Sequence, residues 1–171
     1  MPVQRLNHAV LYVRDAESSA AFYRDVLGFV QISPPGLRKM AFMRAAGSTN
    51  DHDLALFSIG SQALDSAAGT ERVGLYHLAW EVDTLAELER LAGRLSEVGA
   101  LVGASDHSTT KSLYAKDPDG LEFEVAWVVP ADRLDQATLD GRMEIRPLDL
   151  ETEKARYGAD TPGGIGISVP A

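Results

Sequence analysis

The sequence predicts an α+β fold built from two tandem βαβββ modules, and three observations predict it. LNHAVLYV from Leu6 and LYHLAWEV from Leu75 align at one fixed offset, so the chain opens the same way twice. Each of these strand patterns leads into apolar residues at helical spacing that stop at a glycine, Gly28 in the first half and Gly99 in the second. Short β-rich runs then follow each helix, divided by Gly, Pro, Asn and Asp.

Taken in order, residues 6–13 alternate loosely and carry β-branched and aromatic types, which reads as a strand. Asp15 supplies the short acceptor that caps a helix. Within Ala16–Leu27 the pairs Phe22/Val26 and Tyr23/Leu27 stand four apart on one face, and Gly28 can take the left-handed conformation that closes the helix. A Pro/Gly turn at 33–36, a strand near 39–44, a polar loop at 46–50 and a strand near 53–59 complete a module in which one strand is weak. Residues 60–73 are rich in Gly, Ser and Ala and read as a linker.

The second module repeats the order. A strand near 75–82 precedes Thr84 and Glu87, which have the spacing of a capping box, and Leu85, Leu88, Leu91, Leu95 and Val98 mark one helical face. Short strands near 101–103, 111–116 and 121–129 follow, the last two joined by Asp117-Pro118-Asp119-Gly120 with proline at the second turn position. This gives a domain over 1–130, with modules at about 5–60 and 74–130, and a C-terminal extension over 131–171. In the extension eight acidic and five basic residues, five Gly and three Pro break any long periodicity, leaving room for a short helix near 148–157.

Composition excludes several classes of function. With no cysteine among 171 residues there is no disulfide framework, thiolate nucleophile or thiolate metal ligand, so any site rests on histidine, carboxylate and oxygen donors. A net charge of -9 and the lack of basic clusters argue against a nucleic-acid partner. No run approaches the roughly 18 uninterrupted apolar residues of a membrane span. The N-terminus enters a strand pattern without a charged and apolar leader, so the expectation is a cytoplasmic protein with no membrane partner.

The repeat places His8 and His77 at equivalent points of two strands. Independent core histidines have no reason to share a register. A third strand, LEFEVAW after the DPDG turn, carries Glu122 and Glu124 on one face. An unpaired carboxylate in so apolar a strand would cost several kcal/mol, a penalty that a cation removes. Two imidazoles and one carboxylate suit a divalent metal and leave three octahedral positions open, the arrangement of non-haem Fe(II) oxygenases.

These features together, the duplicated βαβββ order, a histidine on each opening strand and DPDGLEFE near the end, resemble the vicinal oxygen chelate superfamily over residues 5–130. The resemblance implies two modules curled into a half-barrel around a metal held by His8, His77 and Glu124. Its motif places the ligand seven residues after the first Asp of the turn, which selects Glu124 and leaves Glu122 at the cavity rim. Glyoxalase I members carry a further glutamate ligand on the last strand of the first module, where this chain reads DLALFSIG with no carboxylate beyond Asp53. Three protein ligands fit extradiol ring-cleaving dioxygenases and metal-dependent fosfomycin-resistance transferases.

Residues around the ligands favour the extradiol branch. NDHDLAL is similar to the stretch carrying that branch's acid/base histidine, which makes His52 the counterpart, with Asp51 where a second histidine is usual. Tyr114, ten residues before Glu124, has the spacing of the active-site tyrosine, and DHSTTKSLYAKDPDG places His107 as a substrate-binding residue. The resemblance thus implies an Fe(II) enzyme, with Mn(II), Ni(II) or Zn(II) as alternative metals, that uses O2 to cleave a small aromatic diol in aromatic compound catabolism and works as a homodimer. The alternatives are a glyoxalase-like isomerase, an epoxide-opening transferase, or a metal-free protein that binds an aromatic drug. Trp80 and Trp127 lie on the strand faces opposite His77 and Glu124 and are expected to pack against helices.

Overall fold

The structure, a computed structural model, describes residues 2–3, 5–34, 36–37 and 39–164, so Pro35 of the expected turn and residues 165–171 of the extension lie outside the described residues. The described residues form two compact units, one within 2–66 with 117–121, the other of 67–116 with 122–164. Among the described residues the first contains a mixed sheet and one helix, the second a mixed sheet and several, as expected of an α+β chain.

In the first unit β1 (Ala9–Val13), α1 (Ala16–Leu27), β2 (Val30–Gln31), β3 (Met40–Arg44) and β4 (Leu54–Ser58) form a sheet of order β1-β4-β3-β2 beside the helix. β1 runs parallel to β4, and β3 antiparallel to both of its neighbours. Both ends of α1 are set locally. The Asp15 carboxylate accepts from the Glu17 and Ser18 N–H groups at 2.8 and 3.3 Å, and Gly28, at φ +76°, turns the chain out. Alternate residues of the strands, Leu11, Val13, Ala41, Met43, Leu54 and Leu56, are buried together with Ala16, Ala20, Tyr23 and Val26 of the helix. The turn at 117–121 belongs to this unit: Asp119 accepts from the Arg14 N–H at 3.1 Å and from its guanidinium at 3.0 Å.

The opening strand is shorter than predicted. Its ladder to β4 begins at Ala9, because the Asn7 carbonyl accepts from the Asn50 side-chain amide at 2.9 Å instead of joining a strand. His8 therefore sits one residue before β1.

The second unit orders its strands β5 (His77–Glu81), β8 (Glu122–Val128), β7 (Thr110–Lys116), β6 (Leu101–Asp106) and β9 (Arg146–Pro147), with α2 (Leu85–Glu97) after β5. Thr84 caps α2 by accepting from the Glu87 N–H at 3.1 Å, while the Glu87 carboxylate is taken by Arg90 at 2.6 and 2.7 Å. Leu85, Leu88, Leu91 and Leu95 are buried as predicted, whereas Val98 is 43% exposed at the C-cap, where Gly99 at φ +69° reverses the chain. One sheet face, with Leu113, Ala115, Phe123, Val125 and Trp127, is fully buried. Trp127 thus lies opposite Glu124, as expected. β6 runs to Asp106, beyond the predicted 101–103, because it pairs with both β7 and β9.

The extension folds into α3 (Gln136–Asp140), β9 and α4 (Leu150–Tyr157), and α4 docks within the second unit. Tyr157 lies 5.4 Å from the Trp127 ring, Lys154 bridges to Glu89 of α2 at 2.8 Å, and Glu153 reaches the Lys111 ammonium at 2.9 Å. Lys111 faces this side of β7, 0% exposed, and also pairs with Asp106 at 2.5 Å. Among the described residues no helix is long and apolar enough to cross a membrane.

Candidate metal centre

In the first unit the loop before β4 brings two histidines together. Asp53 is its hub: the carboxylate accepts from the Ala45 N–H at 2.8 Å, from Ser48 at 2.7 Å and from the Asn50 amide at 2.7 Å. Burial pushes the Asp53 carboxyl up, but these hydrogen bonds and the charge of Arg44 outweigh it and hold it below the ordinary range. Asn50, fixed in this way, donates to the Asn7 carbonyl and accepts from Arg5 at 2.7 Å, tying the loop to the segment that carries His8. The His8 and His52 rings stand 4.5 Å apart, and Phe42 meets His52 edge-on at 5.2 Å. His52 Nδ1 is 2.9 Å from Asp51, so the tautomer with Nδ1–H donating leaves Nε2 as acceptor.

In the second unit His77, Ser112, Tyr114, Glu122 and Glu124 share the sheet face opposite Trp127. In register the partner of His77 is Glu122, yet the carboxylate beside its Nε2, at 3.1 Å, is that of Glu124. Ser112, 0% exposed, donates to the other Glu124 oxygen at 2.5 Å. Tyr114 pairs across the strands with Glu124, and its ring lies 5.8 Å from that of His77. Burial first, then the charges of Glu124 and Tyr76, raise the Tyr114 hydroxyl above its ordinary value against a hydrogen bond with Ser112, so it stays a donor at neutral pH.

His107 opens the short β6–β7 connection, in which Ser108 takes φ +67° and donates its N–H to Asp106 at 2.7 Å. That turn sets His107 Nε2 2.9 Å from the Tyr114 hydroxyl.

Within neither unit taken alone do three His, Asp or Glu groups gather as a metal cluster among the described residues. The second unit nevertheless offers a matched pair of donors. An imidazole nitrogen and a carboxylate oxygen face each other at 3.1 Å, and the buried His77 Nδ1 has no hydrogen-bond partner among the described residues. That donor chemistry fits a divalent cation. Ser112 and Asp51 are contacts that the sequence reading did not assign. For Ser112 the available signal was its place two residues before Tyr114, which puts both on one strand face.

Comparison with known proteins adds a family. The pattern of the Glyoxalase/Bleomycin resistance protein/Dioxygenase superfamily matches residues 5–125. A catechol-2,3-dioxygenase of Bacillus subtilis is 31% identical over 121 residues, covering 70% of this chain and 40% of that protein. A lactoylglutathione lyase of Neisseria meningitidis is 31% identical over 128 residues, covering 70% of this chain and 88% of the relative. The crystal structure of a lactoylglutathione lyase from Agrobacterium tumefaciens matches with TM-score 0.53 at 26% identity, covering 74% of this chain and 95% of that one. The chain spans about two-fifths of the length of the dioxygenases it matches, against 88% for the lyase.

Proposed function

Since the chain belongs to the Glyoxalase/Bleomycin resistance protein/Dioxygenase superfamily, we propose that it is an Fe(II)-dependent extradiol dioxygenase that cleaves a catechol-like aromatic diol with O2. His8, His77 and Glu124 are the proposed metal ligands, His52 and Tyr114 the catalytic residues, and His107 a substrate-binding residue. The observation that carries this reading is the packing of His52 against the candidate ligand His8, ring to ring at 4.5 Å, with Asp51 on its Nδ1. The absence of a carboxylate along β4, which reads LALFS, counts against the further protein ligand of the glyoxalase branch.

Fe(II) held by His8, His77 and Glu124 would supply the Lewis-acid and one-electron chemistry that lowers the spin barrier between a diol and dioxygen. His52 accepts a hydroxyl proton at Nε2 while Asp51 holds its Nδ1–H, and returns that proton later in the cycle. Tyr114 donates its hydroxyl hydrogen to a substrate oxygen, and His107, at 2.9 Å, orients that hydroxyl. Mn(II), Ni(II) and Zn(II) are the alternative metals. The same reading takes the protein to be a cytoplasmic homodimer.

The test is turnover of a catechol panel by protein loaded with Fe(II) anaerobically and then exposed to air. A yellow ring-opened product is expected, and His52→Gln should retain iron while losing about 100-fold or more in kcat. Turnover by His52→Gln at the parental rate would remove the proton-transfer role. Iron-loaded protein that leaves every diol intact but isomerises a glutathione hemithioacetal would give the chain to the lyase branch.

A further inference from the structure

We infer that Ser112 is a positioning residue that divides the two oxygens of Glu124, occupying one so that only the other is available to a cation. This rests on the reading of Glu124 as a metal ligand. Ser112 lies on β7, 0% exposed, and its hydroxyl donates to Glu124 Oε1 at 2.5 Å, while Oε2 lies 3.1 Å from His77 Nε2. A carboxylate torsion is broad and nearly two-fold, so Glu124 alone would present either oxygen, or both, with little preference. A buried hydroxyl has one hydrogen and requires an acceptor for it, and the Glu124 carboxylate is where that hydrogen goes. The bond is charge-assisted and therefore about twice as strong as a neutral one.

The consequence concerns orientation: with the hydroxyl on Oε1 the plane of the carboxylate is held, and Oε2 stays beside His77 Nε2. Ser112 thus works through Glu124, without touching the reacting atoms, by fixing which oxygen faces the cation.

The experiment is a titration of metal-free protein with Mn(II), followed by the paramagnetic resonance of the free ion, on the parent, Ser112→Ala, Ser112→Thr and Glu124→Ala. Ser112→Ala is expected to weaken Mn(II) binding about 10- to 100-fold, the usual loss when a partner of a metal ligand is removed, while Ser112→Thr, which keeps the hydroxyl, stays within about threefold of the parent. A purely structural role would lower the melting temperature of the metal-free protein and leave the affinity unchanged. Ser112→Ala that binds Mn(II) as tightly as the parent, where Glu124→Ala binds weakly, overturns this inference and leaves the ligand assignment standing. Equal binding by the parent and Glu124→Ala overturns the ligand assignment, and this inference with it. If the alanine variant does not fold, Ser112→Thr and Ser112→Val, nearly equal in volume and differing in the hydroxyl, make the same comparison, and equal affinities in that pair overturn the inference.

Discussion

Glu153→Ala tests whether the C-terminal extension is integral to the second unit. Lys111 is 0% exposed, with its ammonium 2.5 Å from Asp106 and 2.9 Å from Glu153. At 2.9 Å and an effective dielectric of about 20 the Lys111–Glu153 attraction is about 6 kcal/mol before desolvation. Removing one partner of a buried pair costs about 3–5 kcal/mol, because it leaves an uncompensated charge. Asp106 still faces the ammonium, so the expected loss is smaller, about 2–3 kcal/mol, or roughly 5–10 °C in melting temperature for a chain of this size. The assay is urea unfolding followed by far-UV circular dichroism and by tryptophan fluorescence, to which Trp127 contributes beside Trp80; Trp127 packs 5.4 Å from Tyr157 of the same helix as Glu153. Glu153→Gln, which keeps the shape and one acceptor, should lose about half as much. Unfolding of Glu153→Ala within about 0.5 kcal/mol of the parent, the range of an ordinary surface substitution, would refute the ion network as the anchor of the extension.

Two further substitutions test neighbouring links. Burial pushes the Asp106 carboxyl up, but the Lys111 ammonium, the Ser108 N–H and the charge of Arg146 outweigh it, leaving it below its ordinary 3.8. A carboxyl lowered by folding contributes stability above its unfolded value and loses it as pH falls through the folded one. Asp106→Asn should therefore cost about 2 kcal/mol at neutral pH, and a series of melts should show the gap to the parent closing as pH drops below 3.8; a constant gap would contradict the assignment. Asp15→Ala removes the acceptor for the Glu17 and Ser18 N–H groups and should cost about 1 kcal/mol in chemical denaturation, with Asp15→Asn close to the parent.

What the sequence made legible was what neighbours along the chain decide. α1 was readable to the residue because Asp15 and Gly28 set its two ends from adjacent positions. The start of β1 was not, because the Asn50 amide that diverts the Asn7 carbonyl comes from 43 residues away. The docking of α4 was equally hidden: a lysine in a strand pattern gives no sign of being buried until Glu153 and Asp106 are both known to reach it.

The candidate site divides along the same line. His8 and His77 stood out through the repeat, and the spacing from the DPDG turn distinguished Glu124 from Glu122. Ser112 could not be singled out, since only strand register shows that it sits diagonally beside Glu124. The turn that holds His107 against Tyr114 depends on Asp106, which is also a partner of Lys111, so the extension and the candidate site share one carboxylate.

The most direct measurement is the iron content of anaerobically loaded and desalted protein, set beside His8→Ala, His77→Ala and Glu124→Ala prepared in the same way. The expected result is stoichiometric iron in the parent and loss of it in each variant, with melting of the metal-free proteins showing that all four remain folded. Full iron in His8→Ala, or a parent that retains none, would contradict the ligand set on which the proposed chemistry depends.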